Sequence, residues 1–168
     1  YDFIVNAAGP WAKELLKTNN IQSNFNMSLV RGSHLILDLK IQSPLVLQST
    51  KDKRIVFMLP LDNGCLLGTT EYSHNIKDPI VCTQIERDYL VDIANTYLEK
   101  TLTQKNIISD YAGVRPLVFD SNTIDVSKIN RDSAIELNES LINIFGGKWT
   151  SGPSLGEKVS DMIESSFR

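Results

Sequence analysis

The residues best suited to chemistry lie near the carboxyl end of the chain, in the run Phe145-Gly146-Gly147-Lys148-Trp149-Thr150. Residues 141–145 are apolar and predict a buried strand, and apolar residues at helical spacing after the run predict a closing helix. A lysine and a hydroxyl on a glycine turn at the start of a helix favour an electron-rich ligand. A plain strand-to-helix turn with a solvated Lys148 fits the spacing equally well. A nucleotide P-loop is excluded, because Ile142 replaces its first glycine and Trp149 its hydroxyl residue.

Arg115 is the second candidate, since it stands between Val114 and Pro116 in an otherwise apolar segment. A guanidinium in such a segment needs a partner, because burying an unpaired charge is very costly. A core ion pair with Asp110 or Asp120 would supply that partner. A phosphate or carboxylate of a substrate, held by the two-pronged guanidinium, would supply it too.

Two further features are only weak evidence of a functional site when each is taken alone. Arg131 and Asp132 follow a polar loop, and such a pair is typical of a solvated or locally paired surface site. The small-residue turn Asn6-Ala7-Ala8-Gly9-Pro10 lets a backbone or a ligand approach closely.

The composition excludes several classes of function. The 168 residues carry 17 basic and 20 acidic side chains, a net charge of −3, which argues against a nucleic-acid-binding surface. No apolar run is long enough to span a bilayer. Cys65 and Cys82 predict buried, inert thiols in a reducing compartment. His34 and His74 have no carboxylate or cysteine at ligand spacing, so we expect no metal site.

The pattern of the chain predicts helices packed on an antiparallel or mixed sheet. The tight turn Leu61-Asp62-Asn63-Gly64 predicts a hairpin, and residues 83–99 predict a helix that begins with a capping box and buries Ile85. The remaining predicted elements are a strand–turn–helix unit in 1–16, short strands at 29–31, 35–37, 45–47, 55–59 and 65–69, an extended segment at 107–119, and a hairpin in 134–145.

Seven segments, taken together, resemble the aerobic, FAD-dependent glycerol-3-phosphate dehydrogenases, within the wider group of flavoproteins similar to D-amino-acid oxidase. The most specific are Tyr111-Ala112-Gly113-Val114-Arg115-Pro116-Leu117 and the run 145–150. The others, in the same order as in the family, are Val5-Asn6-Ala7-Ala8-Gly9-Pro10-Trp11, Arg31-Gly32-Ser33-His34, Arg54-Ile55-Val56-Phe57, Gly68-Thr69-Thr70 and Arg131-Asp132.

The resemblance implies roles for the matching residues. Arg115 and Lys148 are the implied catalytic residues, and they bind the substrate anion together with Arg131 and Thr150. Such enzymes oxidise glycerol 3-phosphate by hydride transfer to FAD and pass the electrons to a quinone, and the flavin supplies the redox chemistry. The residues implied in contact with FAD are Ala8, Gly9, Gly146, Gly147, Lys148 and Thr150.

The resemblance also implies an α+β fold divided between two domains. Residues 1–24 and 131–168 are expected to form parts of an incomplete FAD-binding domain, and residues 25–130 a substrate-binding sheet domain. The chain begins inside a predicted buried strand, residues 1–6, and contains no Gly-x-Gly-x-x-Gly, so we expect a fragment that is inactive and retains no FAD by itself. The whole protein is expected to be cytoplasmic and peripherally associated with the cytoplasmic face of the inner membrane.

Two departures from the family pattern matter besides the missing glycine motif. Ser151-Gly152-Pro153 replaces a stretch that usually contains an arginine, and Asn130 and Ser133 replace the usual neighbours of the Arg-Asp pair. Two alternatives stay open. One is a related FAD oxidase that uses oxygen, which no residue of this chain distinguishes from the dehydrogenase. The other is a remnant domain without catalytic function, which the altered stretch 151–153 favours.

Overall fold

A computed structural model describes residues 2–120 and 133–167, except for the side chain of Asp120. It has the α+β class expected from the sequence. The strands are β1 (Ile4–Asn6), β2 (Phe25–Leu37), β3 (Leu45–Gln48), β4 (Ile55–Leu61), β5 (Gly64–Gly68), β6 (Tyr72–Ser73), β7 (Ile107–Asp120), β8 (Ser133–Asn138) and β9 (Leu141–Gly146). The helices are α1 (Ala12–Thr18), α2 (Gln84–Tyr97) and α3 (Gly152–Ser166), with 3₁₀ turns at Gly9–Trp11, Gln104–Asn106 and Trp149–Ser151.

The chain divides into two compact units. Among the described residues, the first unit comprises 2–30, 74–77, 115–120 and 133–167, and the second comprises 31–73 and 78–114. Each of the long strands β2 and β7 begins in one unit and ends in the other. The expected division into cofactor and substrate domains stays a prediction.

The first unit is built on a three-stranded sheet of order β1-β9-β8. Strand β1 runs parallel to β9, and β9 pairs with β8 in the antiparallel hairpin that the sequence predicts. The hairpin turns at Glu139, whose backbone takes a left-handed φ of 54°. Its core contains Ala12 and Leu16 of α1, Val118 of β7 and Phe145 of β9.

The first strand differs from its prediction in one respect. Residues 4–6 do form a strand, but Ile4 and Val5 are 60% and 42% exposed, and only Asn6 is buried. The physical reason is position, because β1 lies at the edge of the three-stranded sheet with β9 as its neighbour.

The second unit packs α2 against one face of a sheet in which β3, β4, β5 and β2 pair antiparallel. The strand order is β3-β4-β5-β2-β6, and β7 also pairs with β2. Residues 29–31 and 35–37, predicted as separate strands, belong to the single strand β2. Alternate sheet residues and one stripe of the helix form the core, which includes Leu35, Leu37, Val56, Met58, Leu67, Leu90, Ile93 and Ala94.

Helix α2 begins with the predicted capping box. Thr83 is the N-cap, and its backbone N–H donates to the Glu86 carboxylate over 3.0 Å. The prediction that Ile85 faces the core is wrong, since its side chain is 69% exposed. The helix is turned so that Glu86, which is fully buried, faces the sheet instead.

Both cysteines are free and buried, as their predicted role as packing residues requires. Burial raises the pKa of the Cys65 and Cys82 thiols, which keeps them protonated and unreactive. In the described part of the chain, no helix has the length and apolar character needed to cross a bilayer.

The β4–β5 hairpin has the predicted tight turn, with Leu61 paired to Gly64. The glycine is needed for another reason as well. Gly64 has a φ of +145°, and a Cβ added there would lie 2.3 Å from the carbonyl oxygen of Leu37 on β2. Gly64 therefore allows the close approach of β5 and β2.

We expect Gly64→Ala to lower the free energy of unfolding by roughly 2–4 kcal/mol, from backbone strain plus the clash with Leu37. Gly113→Ala is the matched control, because a Cβ at that position meets nothing within 4 Å. Urea unfolding of both variants would measure the difference. Equal losses would contradict this account of Gly64.

Candidate functional site

The site is centred on the turn that follows β9. Gly146 and Gly147 both have left-handed backbone angles, with φ of 69° and 99°. Glycine adopts such angles without the steric cost that a Cβ imposes. Two consecutive residues of this kind reverse the chain between the last strand and the last helix. The backbone conformation of this turn is therefore the reason that both residues are glycine.

Lys148 links this turn to the closing helix. Its backbone N–H donates to the hydroxyl of Ser151 over 3.2 Å, and that hydroxyl donates to the Lys148 carbonyl over 3.0 Å. The 3₁₀ turn Trp149–Ser151 leads directly into α3, with Pro153 at its start. Ser151, one of the departures from the family pattern, therefore stabilises the start of the helix.

A cavity of about 740 Å³ opens beside the turn, within the first unit. It adjoins two small-residue turns, one after β1 and one after β9. Its described lining residues are Ala7, Gly9, Ile144, Gly146, Gly147, Lys148, Trp149, Gly152, Pro153, Leu155 and Gly156.

The parallel pairing of β1 and β9 explains why both turns reach one cavity. The register sets Ile4 opposite Leu141 and Asn6 opposite Asn143. Parallel strands end at the same edge of a sheet, which is where open α/β sheets bind their ligands. The turn at Gly9 and the turn at Gly146 are therefore neighbours.

The side chain of Asn6 holds this arrangement, and it was not among the predicted site residues. It is buried, and its amide nitrogen donates to Asn143 Oδ1 over 2.9 Å and to the Ala12 carbonyl over 3.2 Å. Its Oδ1 accepts from the Ala8 backbone N–H over 3.3 Å. One side chain thus ties the strand, the turn and the helix α1 together. The sequence signal available was a polar residue at the end of an apolar strand.

The charge at the cavity favours an electron-rich group. Lys148 is exposed on the cavity wall, and Gly152 and Pro153 at the amino end of α3 line it as well. In the described chain, the first turn of α3 contains no acidic residue. A helix amino end and a lysine together stabilise negative charge.

The structure places some of the predicted site residues at the cavity and others outside its lining. Four of them, Gly9, Gly146, Gly147 and Lys148, line the cavity, whereas Ala8 and Thr150 are not among its described lining residues. Arg131 lies outside the residues that the structure describes. The roles of all these residues stay predictions.

Arg115 is half-buried on β7 and is likewise not among the described lining residues. Asp110, one of the two carboxylates considered as its partner, accepts a 2.9 Å bond from Arg87. The convergence of Arg115 and Lys148 on one ligand stays a prediction. Among residues 2–120 and 133–167, no group of His, Cys, Asp and Glu is arranged to hold a metal ion.

Comparison with known proteins identifies the family. A family model described as DAO, FAD dependent oxidoreductase, matches residues 1–162. The chain belongs to this family. Its resemblance to aerobic glycerol-3-phosphate dehydrogenases is also confirmed: the enzymes of that name from Staphylococcus aureus strains USA300 and COL are each 30% identical over 171 residues. The alignments cover 98% of this chain but 30% of each relative, so the chain spans under a third of their length.

Solved structures agree with this assignment. The glycerol-3-phosphate dehydrogenase of Bacillus halodurans, complexed with FAD, superimposes with a TM-score of 0.85 at 27% identity, covering 98% of this chain and 32% of that one. The L-alpha-glycerophosphate oxidase of Mycoplasma pneumoniae, with FAD bound, gives a TM-score of 0.60 at 22% identity, covering 86% of this chain and 37% of that one. The second likeness shows a shared fold.

We expect Asn6→Ala to lower the free energy of unfolding by about 1–3 kcal/mol, because it leaves buried partners unsatisfied. Asn75→Ala is the control: Asn75 belongs to the same unit but is exposed and accepts a single local bond from Lys77. Its loss should stay within about 0.5 kcal/mol. Chemical denaturation measures both, and a neutral Asn6→Ala would contradict the role given to this side chain.

Proposed function

We propose that this chain forms the substrate-binding sheet and one wall of the flavin site of an FAD-dependent glycerol-3-phosphate dehydrogenase. The reaction oxidises sn-glycerol 3-phosphate to dihydroxyacetone phosphate and delivers the electrons to a quinone. One observation carries the proposal: the turns at Gly9 and Gly146–Gly147, Lys148 and the start of α3 meet at a single cavity. Family membership and the named relatives support it.

The cavity fits part of a flavin. A volume of about 740 Å³ is typical of a small-molecule or cofactor site. A Cβ added at Gly9, Gly152 or Gly156 would meet nothing within 4 Å, so glycine at these positions leaves space that side chains would fill. The part of the wall formed by these glycines has no side chains, which leaves room for a flat ring system.

Lys148 and the start of α3 would hold the electron-rich edge of the ring. Both would supply positive charge at the cavity wall, and its electrostatic attraction to the bound ring would become stronger as the ring gains electrons. When bound, FAD supplies the hydride acceptor. Ala8, Gly9, Gly146, Gly147 and Thr150 are proposed to contact the cofactor through the two turns.

Arg115 and Arg131 are proposed to bind the substrate phosphate, with Lys148 and Thr150 beside them. A guanidinium is suited to this task, because it offers paired N–H donors to a phosphate. Held by its phosphate, the substrate would present its C2 carbon to the flavin in a fixed orientation. The division into residues 1–24 and 131–168 for the cofactor and 25–130 for the substrate belongs to the same proposal.

Membrane association on the cytoplasmic face completes the proposal, since a quinone acceptor resides in the bilayer. A related oxidase would pass the electrons to oxygen instead. A remnant domain would carry out no redox reaction. The experiments below separate these three outcomes.

The first test is flavin retention by the 168 residues alone. The sequence has no Gly-x-Gly-x-x-Gly to hold a pyrophosphate, so we expect no flavin absorbance to co-purify with the chain. Absorption at flavin wavelengths, measured against protein concentration, decides this. Stoichiometric FAD on the purified chain would contradict the expectation.

The second test measures oxidation of glycerol 3-phosphate by the genome-encoded polypeptide. We expect Lys148→Met and Arg115→Met each to lower kcat/KM for glycerol 3-phosphate by roughly 10²-fold, because each removes a charge-assisted bond to an anion. Lys158→Met is the matched control, since Lys158 is exposed on α3 and is not among the described cavity residues.

The readout compares a quinone acceptor with oxygen. Reduction of quinone without peroxide supports the dehydrogenase, whereas peroxide production supports the oxidase. A folded, flavin-loaded polypeptide that oxidises no glycerol 3-phosphate would refute the proposal and favour the remnant. Activity that is lost equally in Lys158→Met would refute the assignment of the site.

A further inference from the structure

Glu86 does much more than cap its helix. Its carboxylate is fully buried, in the second unit, next to the sheet. Besides the bonds from the Thr83 backbone N–H and the Thr83 hydroxyl, it accepts bonds from Arg31 over 2.7 Å, from the Ser33 hydroxyl over 2.8 Å and from the Thr70 hydroxyl over 2.8 Å.

The burial of this carboxylate needs a reason beyond capping. A capping box works at the surface, where the carboxylate keeps its hydration, and a buried carboxylate is costly unless it is fully bonded. Burial alone would raise the pKa of Glu86, but the backbone N–H of Thr83 and the hydroxyls of Ser33, Thr83 and Thr70 together lower it to about 2. The group therefore stays ionised and fixes its donors in place.

Those donors lie where two strands separate. The pairing of β2 with β5 includes His34 opposite Gly68. Just beyond this pair, the Ser33 backbone N–H donates to the hydroxyl of Thr70 over 2.8 Å, and the Thr70 backbone N–H donates to the Ser33 carbonyl over 3.3 Å. The Glu86 carboxylate binds both hydroxyls and so extends the connection between the strands beyond the end of β5.

His34 follows Ser33 and points to the opposite face of the sheet. Ser33 and Leu35 are fully buried on the side of α2, and successive strand residues alternate between faces. The imidazole lies on Gly68, where an added Cβ would come within 2.2 Å of its Cδ2, and it stacks on Tyr111 with ring centres 5.0 Å apart.

On that opposite face, His34 is aligned with an apolar row. The register joins His34 to Gly68, Gly68 to Phe57, and Phe57 to Val46 across four strands. Phe57 and Val46 are exposed within this chain. The imidazole adds a polar, titratable ring to this otherwise apolar row.

We propose that Glu86 is a positioning residue of the substrate-binding sheet: through Ser33 and Thr70, it holds the imidazole of His34 in one orientation on the opposite face. The assignment of this sheet to the substrate rests on the proposed function. Three of the segments that resemble the family, those containing Ser33, Thr70 and Tyr111, meet in this one arrangement.

The test uses the imidazole NMR signals of the isotope-labelled chain. The sequence contains two histidines, so His74 serves as an internal reference and His74→Gln assigns the spectrum. In Glu86→Gln, we expect the His34 ring signals to shift and to lose the ring-current effect of Tyr111, while those of His74 stay unchanged. Tyr111→Leu provides the reference spectrum for an unstacked imidazole.

Thr83→Ala is the matched control. It removes a donor to the same carboxylate and weakens the cap, but it leaves Ser33 and Thr70 in place. We expect lower stability in urea and unchanged His34 signals. If Glu86→Gln does not fold, Ser33→Ala and Thr70→Val each remove one donor and should each shift the His34 signals. Unchanged His34 signals in a folded Glu86→Gln, or an equal shift in Thr83→Ala, would overturn the proposal.

An activity measurement separates this inference from the proposed function. In the genome-encoded polypeptide, we expect Glu86→Gln to lower kcat for glycerol 3-phosphate by a larger factor than it changes the dissociation constant of FAD. A displaced His34 signal with an unchanged kcat would contradict the assignment of this sheet to the substrate and leave positioning by Glu86 supported.

Discussion

The parallel pairing of β1 with β9 is the constraint on which the candidate site depends. It joins Asn6 to Asn143, 137 residues apart in the chain, through a bond between their side chains. Because the strands are parallel, the chain leaves both at the same edge, and the two turns that follow share one cavity. If this register were lost, the turn at Gly9 would have no fixed place beside the turn at Gly146.

Buried polar groups set the exact positions in both units. In the first unit, Asn6 bonds to the strand, the turn and the first helix. In the second, Glu86 bonds to β2, to the segment after β5 and to its own helix cap. Apolar packing tolerates small shifts, whereas a displaced polar group loses hydrogen bonds that water cannot replace in the interior. These groups therefore specify geometry in a way that the apolar cores cannot.

Features with local causes could be predicted from the sequence. The hairpin turn before Gly64, the capping box of Thr83 and Glu86, and the glycine turn before Lys148 all appear as expected, because each depends on a few adjacent residues. The exposure of Ile4 and Ile85 could not be predicted. Both are apolar residues in regular elements, and their environment depends on which strands and helices lie next to them.

The candidate site shows the same division. The sequence singled out the turn with Gly9 and the turn with Gly146, Gly147 and Lys148 as two separate features, and the cavity brings them together. Asn6 was recognised as part of a turn but not as the residue that holds it, because a polar residue at the end of a strand has no distinctive local pattern. The number of bonds to Glu86 was missed too, since Ser33 and Thr70 lie far from it in sequence.

The sequence by itself determined the family, most of the elements with their order, and the residue types at each turn, because these follow from motifs and from short-range backbone preferences. The tertiary structure decided which turns share a cavity, which apolar faces are covered, and where Glu86 finds its donors. The reason is that these outcomes depend on contacts between distant segments, and their register is set by the packing of whole strands and helices.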